Sequence, residues 1–139
     1  MMGEKKLGSI GSMCGQTGGI KGGRAVAWDS VKENHVVYAS ENGVNFAGVS
    51  DNDVLDTNNN LATAKQISIT PWGDVECIAA GVINAGDRLY VTGTEGMLSS
   101  IPATPGTYNC VGAAVNFALA LNDRFIARIV PATFPVVVS

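Results

Sequence analysis

From Arg24 onward, short runs rich in Val, Ile, Tyr, Phe and Trp alternate with clusters of turn residues. Apolar and polar positions alternating with a period of two are the signature of strands buried on one face. The pattern predicts strands over residues 25–29, 35–39, 44–50, 66–70, 75–79, 88–92, 97–100, 110–116 and 124–130. Turns are predicted at Glu41-Asn42-Gly43, Trp72-Gly73-Asp74, Ala85-Gly86-Asp87 and Thr94-Glu95-Gly96, where glycine or asparagine accepts a positive φ at little cost. Many short strands with regularly spaced turns predict an all-β fold, a β-sandwich or a jelly-roll-like barrel. Residues 113–121 are the one stretch of helix-favouring composition, and a helix there would set Val115 and Leu119 on one side. The preceding Cys110 and Val111, and the β-branched run beyond the Asn122-Asp123 turn, favour a strand instead. Trp28, alternating with Val26, is expected in the core.

Both ends differ in texture from this central domain of residues 24–130. Residues 1–23 are dense in glycine and poor in large side chains, too little apolar surface to offset their ordering entropy. They predict a flexible Gly-rich N-terminal arm on which Leu7, Ile10, Met13 and Ile20 are spaced for capture by a partner surface. Residues 131–139 form an apolar tail. Pro135 bars it from continuing a central strand, while Val136, Val137 and Val138 can add to the edge of another sheet. Between the ends the chain echoes itself. Gly23-Arg24-Ala25-Val26-Ala27, Phe46-Ala47-Gly48-Val49 and Lys65-Gln66-Ile67-Ser68-Ile69 run parallel to Asp87-Arg88-Leu89-Tyr90-Val91, Val111-Gly112-Ala113-Ala114 and the run from Arg124 to Ile129. This predicts an internal duplication folded into one core.

Composition narrows the function. Only 15% of the 139 residues are charged, against about 25% in an ordinary soluble domain, as expected of a surface partly covered by neighbours. Nine Lys and Arg within a net charge of −3 leave no electrostatic footprint for phosphates, so nucleic acid is not an expected partner. The longest nearly apolar run, residues 111–121, is interrupted by Asn116. It falls short of the roughly 18 residues that a spanning helix needs, so no membrane partner is expected. Cys14, Cys77 and Cys110 are far apart, with no CxxC pair, and read as reduced thiols rather than a disulfide framework or zinc site. Residues 1–14 lack the apolar stretch of a secretory signal, which predicts a protein that stays in the cytoplasm where it is made.

No catalytic, cofactor or metal residues are expected. Lys21 lacks the second glycine before it and the hydroxyl after it that a phosphate loop needs. Asp51, Asp53 and Asp56 crowd a loop, but Leu55 stands where a calcium ligand belongs, and no bidentate Glu follows at the right distance. Together with Asn58, Asn59 and Asn60 they read as a solvated loop. His35 is the single histidine, at the start of a strand, and no Gly-x-Ser-x-Gly elbow exists. Asp74 and Glu76 project to one sheet face, compatible with paired-carboxylate chemistry and equally with a solvated surface. Trp72, between Pro71 and Gly73, sits at a strand boundary, where a large ring serves as an interface anchor or caps its own core.

The order of these pieces resembles a known family. Gly73-Asp74-Val75-Glu76-Cys77, the segment over residues 80–91 with its Ala85-Gly86-Asp87 turn, Glu95-Gly96-Met97-Leu98, Val111-Gly112-Ala113-Ala114 and the closing strand after Asn122-Asp123 are similar to the small capsid decoration, or cement, proteins of tailed bacteriophages. The resemblance spans residues 43–130. The Gly-rich arm and valine tail depart from the more compact members. It implies a structural virion protein rather than an enzyme, made in the host cytoplasm and carried in many copies on the outer surface of the capsid. There it would bind the phage major capsid protein, bridge neighbouring subunits and stabilise the head. It also implies a homo-oligomer. A dimer is preferred because two-fold contacts are commonest, with a trimer as the other outcome. Leu7, Ile10, Met13, Ile20, Trp72, Val136, Val137 and Val138 are the interface candidates. The competing reading is a carbohydrate- or host-surface-binding β-sandwich module of a phage fibre or tail, with Trp72 and Tyr108 as stacking platforms.

Overall fold

A computed structural model describes residues 5–6, 10–16, 18–54 and 66–139. They form the strands β1 (Lys5–Lys6), β2 (Ile10–Cys14), β3 (Ala25–Trp28), β4 (His35–Tyr38), β5 (Phe46–Ser50), β6 (Gln66–Thr70), β7 (Gly73–Ile78), β8 (Arg88–Thr92), β9 (Met97–Ser100), β10 (Gly106–Ala114) and β11 (Arg124–Val138). A single 3₁₀ turn, Glu41–Gly43, lies between β4 and β5, and no α-helix occurs among the described residues. The fold is all-β, as the alternating pattern predicts.

The first half of the chain closes into a five-stranded barrel in the order β2-β4-β3-β5-β6, with β6 returning onto β2. The second half, joined at one edge by β1, builds a six-stranded sheet in the order β1-β7-β11-β10-β8-β9. The two echoing halves of the sequence thus become a barrel and an open sheet. Inside the barrel, Cys14, Ile20, Val26, Val36, Val54, Ile67 and Ile69 form one buried cluster. A second joins barrel to sheet, with Ala25, Ala27 and Val49 packed against Val75, Leu89, Leu98, Phe125 and Ile129. β3 serves both, because alternate side chains point to opposite faces: Val26 enters the barrel while Ala25 and Ala27 meet the sheet. Each large side chain such as Phe125 or Leu89 contributes about 1.5–3 kcal/mol by this burial.

The β8–β9 turn fastens the halves together. The Ala25 amide donates to the Gly96 carbonyl at 2.7 Å and the Gly96 amide to Ala39 at 3.1 Å. Gly96 has φ of +67° and no room for a Cβ against the Ala25 backbone, so glycine is required there twice over. Buried Arg24 reaches into the same turn and donates to the Glu95 carbonyl at 3.1 Å.

Several sequence expectations are corrected. The arm does not end at Gly23: β2 is a barrel strand, parallel to β4 and antiparallel to β6, and Cys14 and Ile20 are fully buried. Its inward residues Ser12 and Cys14 are small, so the strand is held by its backbone ladders and shows little hydrophobic signal. The tail is not a segment apart from the domain, because β11 runs on through Pro131 and Pro135 to Val138, there paired with β10 alone. β7 pairs with β11 only as far as Ile129, opposite Gly73, so Pro135 lies on an open edge where its missing N–H removes no ladder bond to β7. β10 ends at Ala114, and residues 115–123 turn back as a loop instead of extending the strand to Asn116. Trp28 is 38% exposed rather than in the core.

Candidate functional site

Trp72 stands where the chain crosses from barrel to sheet, between the end of β6 and the start of β7. Two grooves flank it and share Trp72 and Pro131. One, of about 410 Å³, is walled by Trp28 and Phe46 from the barrel together with Pro71 and Pro131. The other, of about 470 Å³, runs past Asp74 and Arg128. There the Arg128 guanidinium grips the Asp74 carboxylate with two bonds, Nε to Oδ1 at 2.6 Å and Nη2 to Oδ2 at 2.9 Å. This hydrogen bond and the neighbouring negative charge hold the Arg128 pKa above its ordinary value.

Next along β7, Arg124 meets Glu76 at 2.9 Å. Asp74 and Glu76 therefore face Arg128 and Arg124 across the β7–β11 pair, a row of exposed cross-strand ion pairs. His35 donates from Nδ1 to the Glu33 carbonyl at 2.8 Å. Asp51 takes hydrogen bonds from Ser68 and Thr70, and Asp53 takes one from the Gly22 amide. Asp56 and Asn58, Asn59 and Asn60 lie outside the described residues. Among the described residues no group of three or more His, Cys, Asp or Glu is placed to hold a metal ion.

A second surface has no counterpart among the sequence expectations. Ile83 and Ala118 exchange two backbone hydrogen bonds of 2.9 Å, which tie the loop after β7 to the loop after β10. Both side chains point inward and are buried. Their neighbours Val82, Phe117 and Leu119 therefore point outward, and Val115 and Leu121 share that exposure. Phe117 is 59% and Leu119 71% exposed. Within residues 115–121 only Ala118 is buried, and the large apolar side chains of Val115, Phe117, Leu119 and Leu121 stand exposed. The loop is fixed by Asp123, whose Oδ2 accepts from the Leu119 and Ala120 amides at 3.0 Å each. Large apolar side chains exposed together on one stretch of surface mark an interaction surface. The signal in the sequence was the alternation Val115, Phe117, Leu119, Leu121, which reads as a buried strand face until the loop is seen to turn it outward.

The expected interface residues do not form one site. Leu7 lies outside the described residues, and Ile10 is placed by its backbone pairing with Ile69 alone. Met13 is half-buried on β2, and Ile20 is sealed inside the barrel, unavailable to a partner. Trp72 is half-buried between its grooves. Val136, Val137 and Val138 close the β10–β11 ribbon, opposite Tyr108, Thr107 and Gly106, with Val137 72% exposed. Tyr108 packs edge-on against Tyr90 at 5.1 Å and donates to the Thr104 carbonyl, on a different element from Trp72. Trp72 instead shares its groove with Trp28 and Phe46.

No family model matches the sequence, and no curated protein matches it. Among solved structures the chain is similar to the N base of head fiber gp8.5 of bacteriophage phi29. The TM-score is 0.63 at 19% sequence identity, covering 91% of this chain and 98% of that one. At that identity the two share a fold, and the likeness takes in nearly the whole of both chains.

Proposed function

We propose that the protein is a structural component of a tailed-phage virion that sits on the outside of the head, binds the major capsid protein, bridges its neighbouring subunits and stabilises the shell. The observation that carries this reading is the fold shared with the base of a phage head fibre over almost the full length of both chains. The outward strip of Val82, Val115, Phe117, Leu119 and Leu121 supports it by supplying apolar surface for a shell to cover. Burial at about 25 cal/mol per Å² makes each contact modest, and many symmetry-related copies sum it. The chain works without turnover and as a homo-oligomer, for which a two-fold contact is the first expectation.

Particles assembled without the protein should form but release their genome at lower temperature than complete ones. Added protein should restore them, saturating at a fixed ratio per capsid subunit, because a ligand that binds only the intact shell stabilises it by mass action. Particles equally robust with and without it would overturn the proposal.

A further inference from the structure

The geometry points to a carbohydrate-binding groove at Trp28 and Trp72, a site distinct from the apolar strip and independent of head attachment. The two grooves meet at Trp72, so one aromatic ring borders both, and together they form a concave track from Trp28 to Arg128. Three features fit a sugar chain. First, Trp28 and Phe46 stand at one end and Trp72 at the junction, large flat rings on which the C–H faces of pyranose rings stack. Second, the walls are stiff. Pro71 and Pro131 line the track, and the Trp28 backbone N–H donates to the Asn45 carbonyl at 3.0 Å, which holds the strand end that carries the ring, so little backbone ordering entropy is lost on binding. Third, the polar end is a guanidinium already oriented by a carboxylate. Arg128 uses Nε and Nη2 on Asp74, which leaves Nη1 and its two N–H groups for the adjacent hydroxyl oxygens of a sugar. Apolar walls with a few fixed polar groups are the usual make-up of a small-ligand site. A proline-rich peptide would also meet aromatic walls, but it offers carbonyl oxygens spaced along its chain rather than two vicinal hydroxyl oxygens on one ring.

Trp28 and Trp72 are the only tryptophans in the chain, so intrinsic fluorescence reports on this track without a label. The probe is a printed array of bacterial surface oligosaccharides, comprising lipopolysaccharide cores, O-antigen repeats, teichoic acids and peptidoglycan fragments. Bound glycans are then titrated against purified protein by fluorescence. Saturable binding is expected, with a shift in tryptophan emission. Trp28→Ala should weaken it about tenfold or more, as loss of an aromatic anchor does. Arg128→Lys should weaken it while leaving the melting temperature unchanged. Trp72→Phe, which keeps an aromatic ring at the crossing, separates lost stacking from lost folding: partial binding with an unchanged melting curve is expected. An array with no bound glycan, binding that Trp28→Ala leaves intact, or an emission shift with a PxxP peptide in place of any glycan would overturn the assignment.

Discussion

Gly112 lies with its α-carbon against the backbone of Arg128 on β11, so close that a Cβ would overlap the Arg128 carbonyl. It is also the residue at which β10 pairs with both Leu89 and Ile129, and the register of β10 with β11 shifts between Cys110 and Gly112. A side chain there has backbone on its open side and no flexible neighbour to displace. Gly112→Ala should therefore cost at least the about 1–3 kcal/mol of ordinary overpacking, lowering the melting temperature by about 5 °C or more. Gly81, with nothing near its missing Cβ, is the control. Gly81→Ala should stay within about 0.5 kcal/mol of the parent. Equal melting curves for the two variants would contradict this packing.

The barrel seam makes a prediction through Cys14. β2 is held between β4 and β6, and the Cys14 thiol is fully buried, with its pKa raised above 9.0 by that burial. The thiolate is the reactive form. At pH 8 a disulfide reagent should therefore modify Cys14 in the native protein only as fast as the barrel opens, and the rate should jump in denaturant. Immediate labelling of native Cys14, detected by mass spectrometry, would show that residues 10–14 are not a seated strand.

Much of this architecture was legible in the sequence, and the failures share a cause. Gln66–Thr70, Arg88–Thr92 and Met97–Ser100 were placed to the residue because Ile67 and Ile69, or Leu89 and Val91, alternate cleanly and turn residues bound them. β2 gives little hydrophobic signal because the small residues Ser12 and Cys14 take buried positions and glycines surround it; only tertiary pairing makes it a strand. The outward strip is hidden in the sequence for the opposite reason. Val115, Phe117 and Leu119 carry the pattern of a core strand, and nothing local records that the Ile83–Ala118 bridge aims them at solvent. Of the site, Trp72 was singled out from its Pro71 and Gly73 neighbours. Trp28 was not, since alternation with Val26 cannot tell a face against the core from a rim against a groove.

Asp29 supports the turn after β3 by accepting from the Val31 amide at 2.8 Å, with a longer bond from Lys32. The Val31 bond is the main cause of its lowered pKa. A carboxyl held below its unfolded value contributes stability above that value and loses it as pH falls through the folded one. The turn should thus persist at pH values where ordinary aspartates are protonated. The Val31 amide resonance should shift in a titration whose midpoint lies below the ordinary 3.8 of Asp. A midpoint at or above that value would contradict the bond.

The outward strip should be dispensable for folding and, if the protein is a head component, needed for its binding to the shell. Phe117 and Leu119 are mostly exposed, so Phe117→Ser and Leu119→Ser should each change stability by no more than about 0.5 kcal/mol. Both should lose cosedimentation with phage heads. Unimpaired cosedimentation would move the contact elsewhere on the molecule.

The β10–β11 ribbon gives the last test, because it extends beyond both cores. The last buried residue of β11 is Ile129, and from Phe134 to Val138 the strand pairs only with Cys110 to Gly106. Opposite that pairing, no strand among the described residues lies against the edge of β11 beyond Ile129, an edge that a strand from a neighbouring molecule could join. Removing residues 135–139 unpairs the outer end of β10 but uncovers none of Phe125, Ala127 or Ile129. The truncated protein should keep its far-ultraviolet spectrum and melt within a few degrees of the parent. If the ribbon edge is a contact on the head, the truncation should at the same time weaken binding to the particle, measured as a higher protein concentration for half-saturation in cosedimentation. A truncation that unfolds the domain would show the ribbon to be part of its core, and one that binds as tightly as the parent would remove Val136, Val137 and Val138 from the interface.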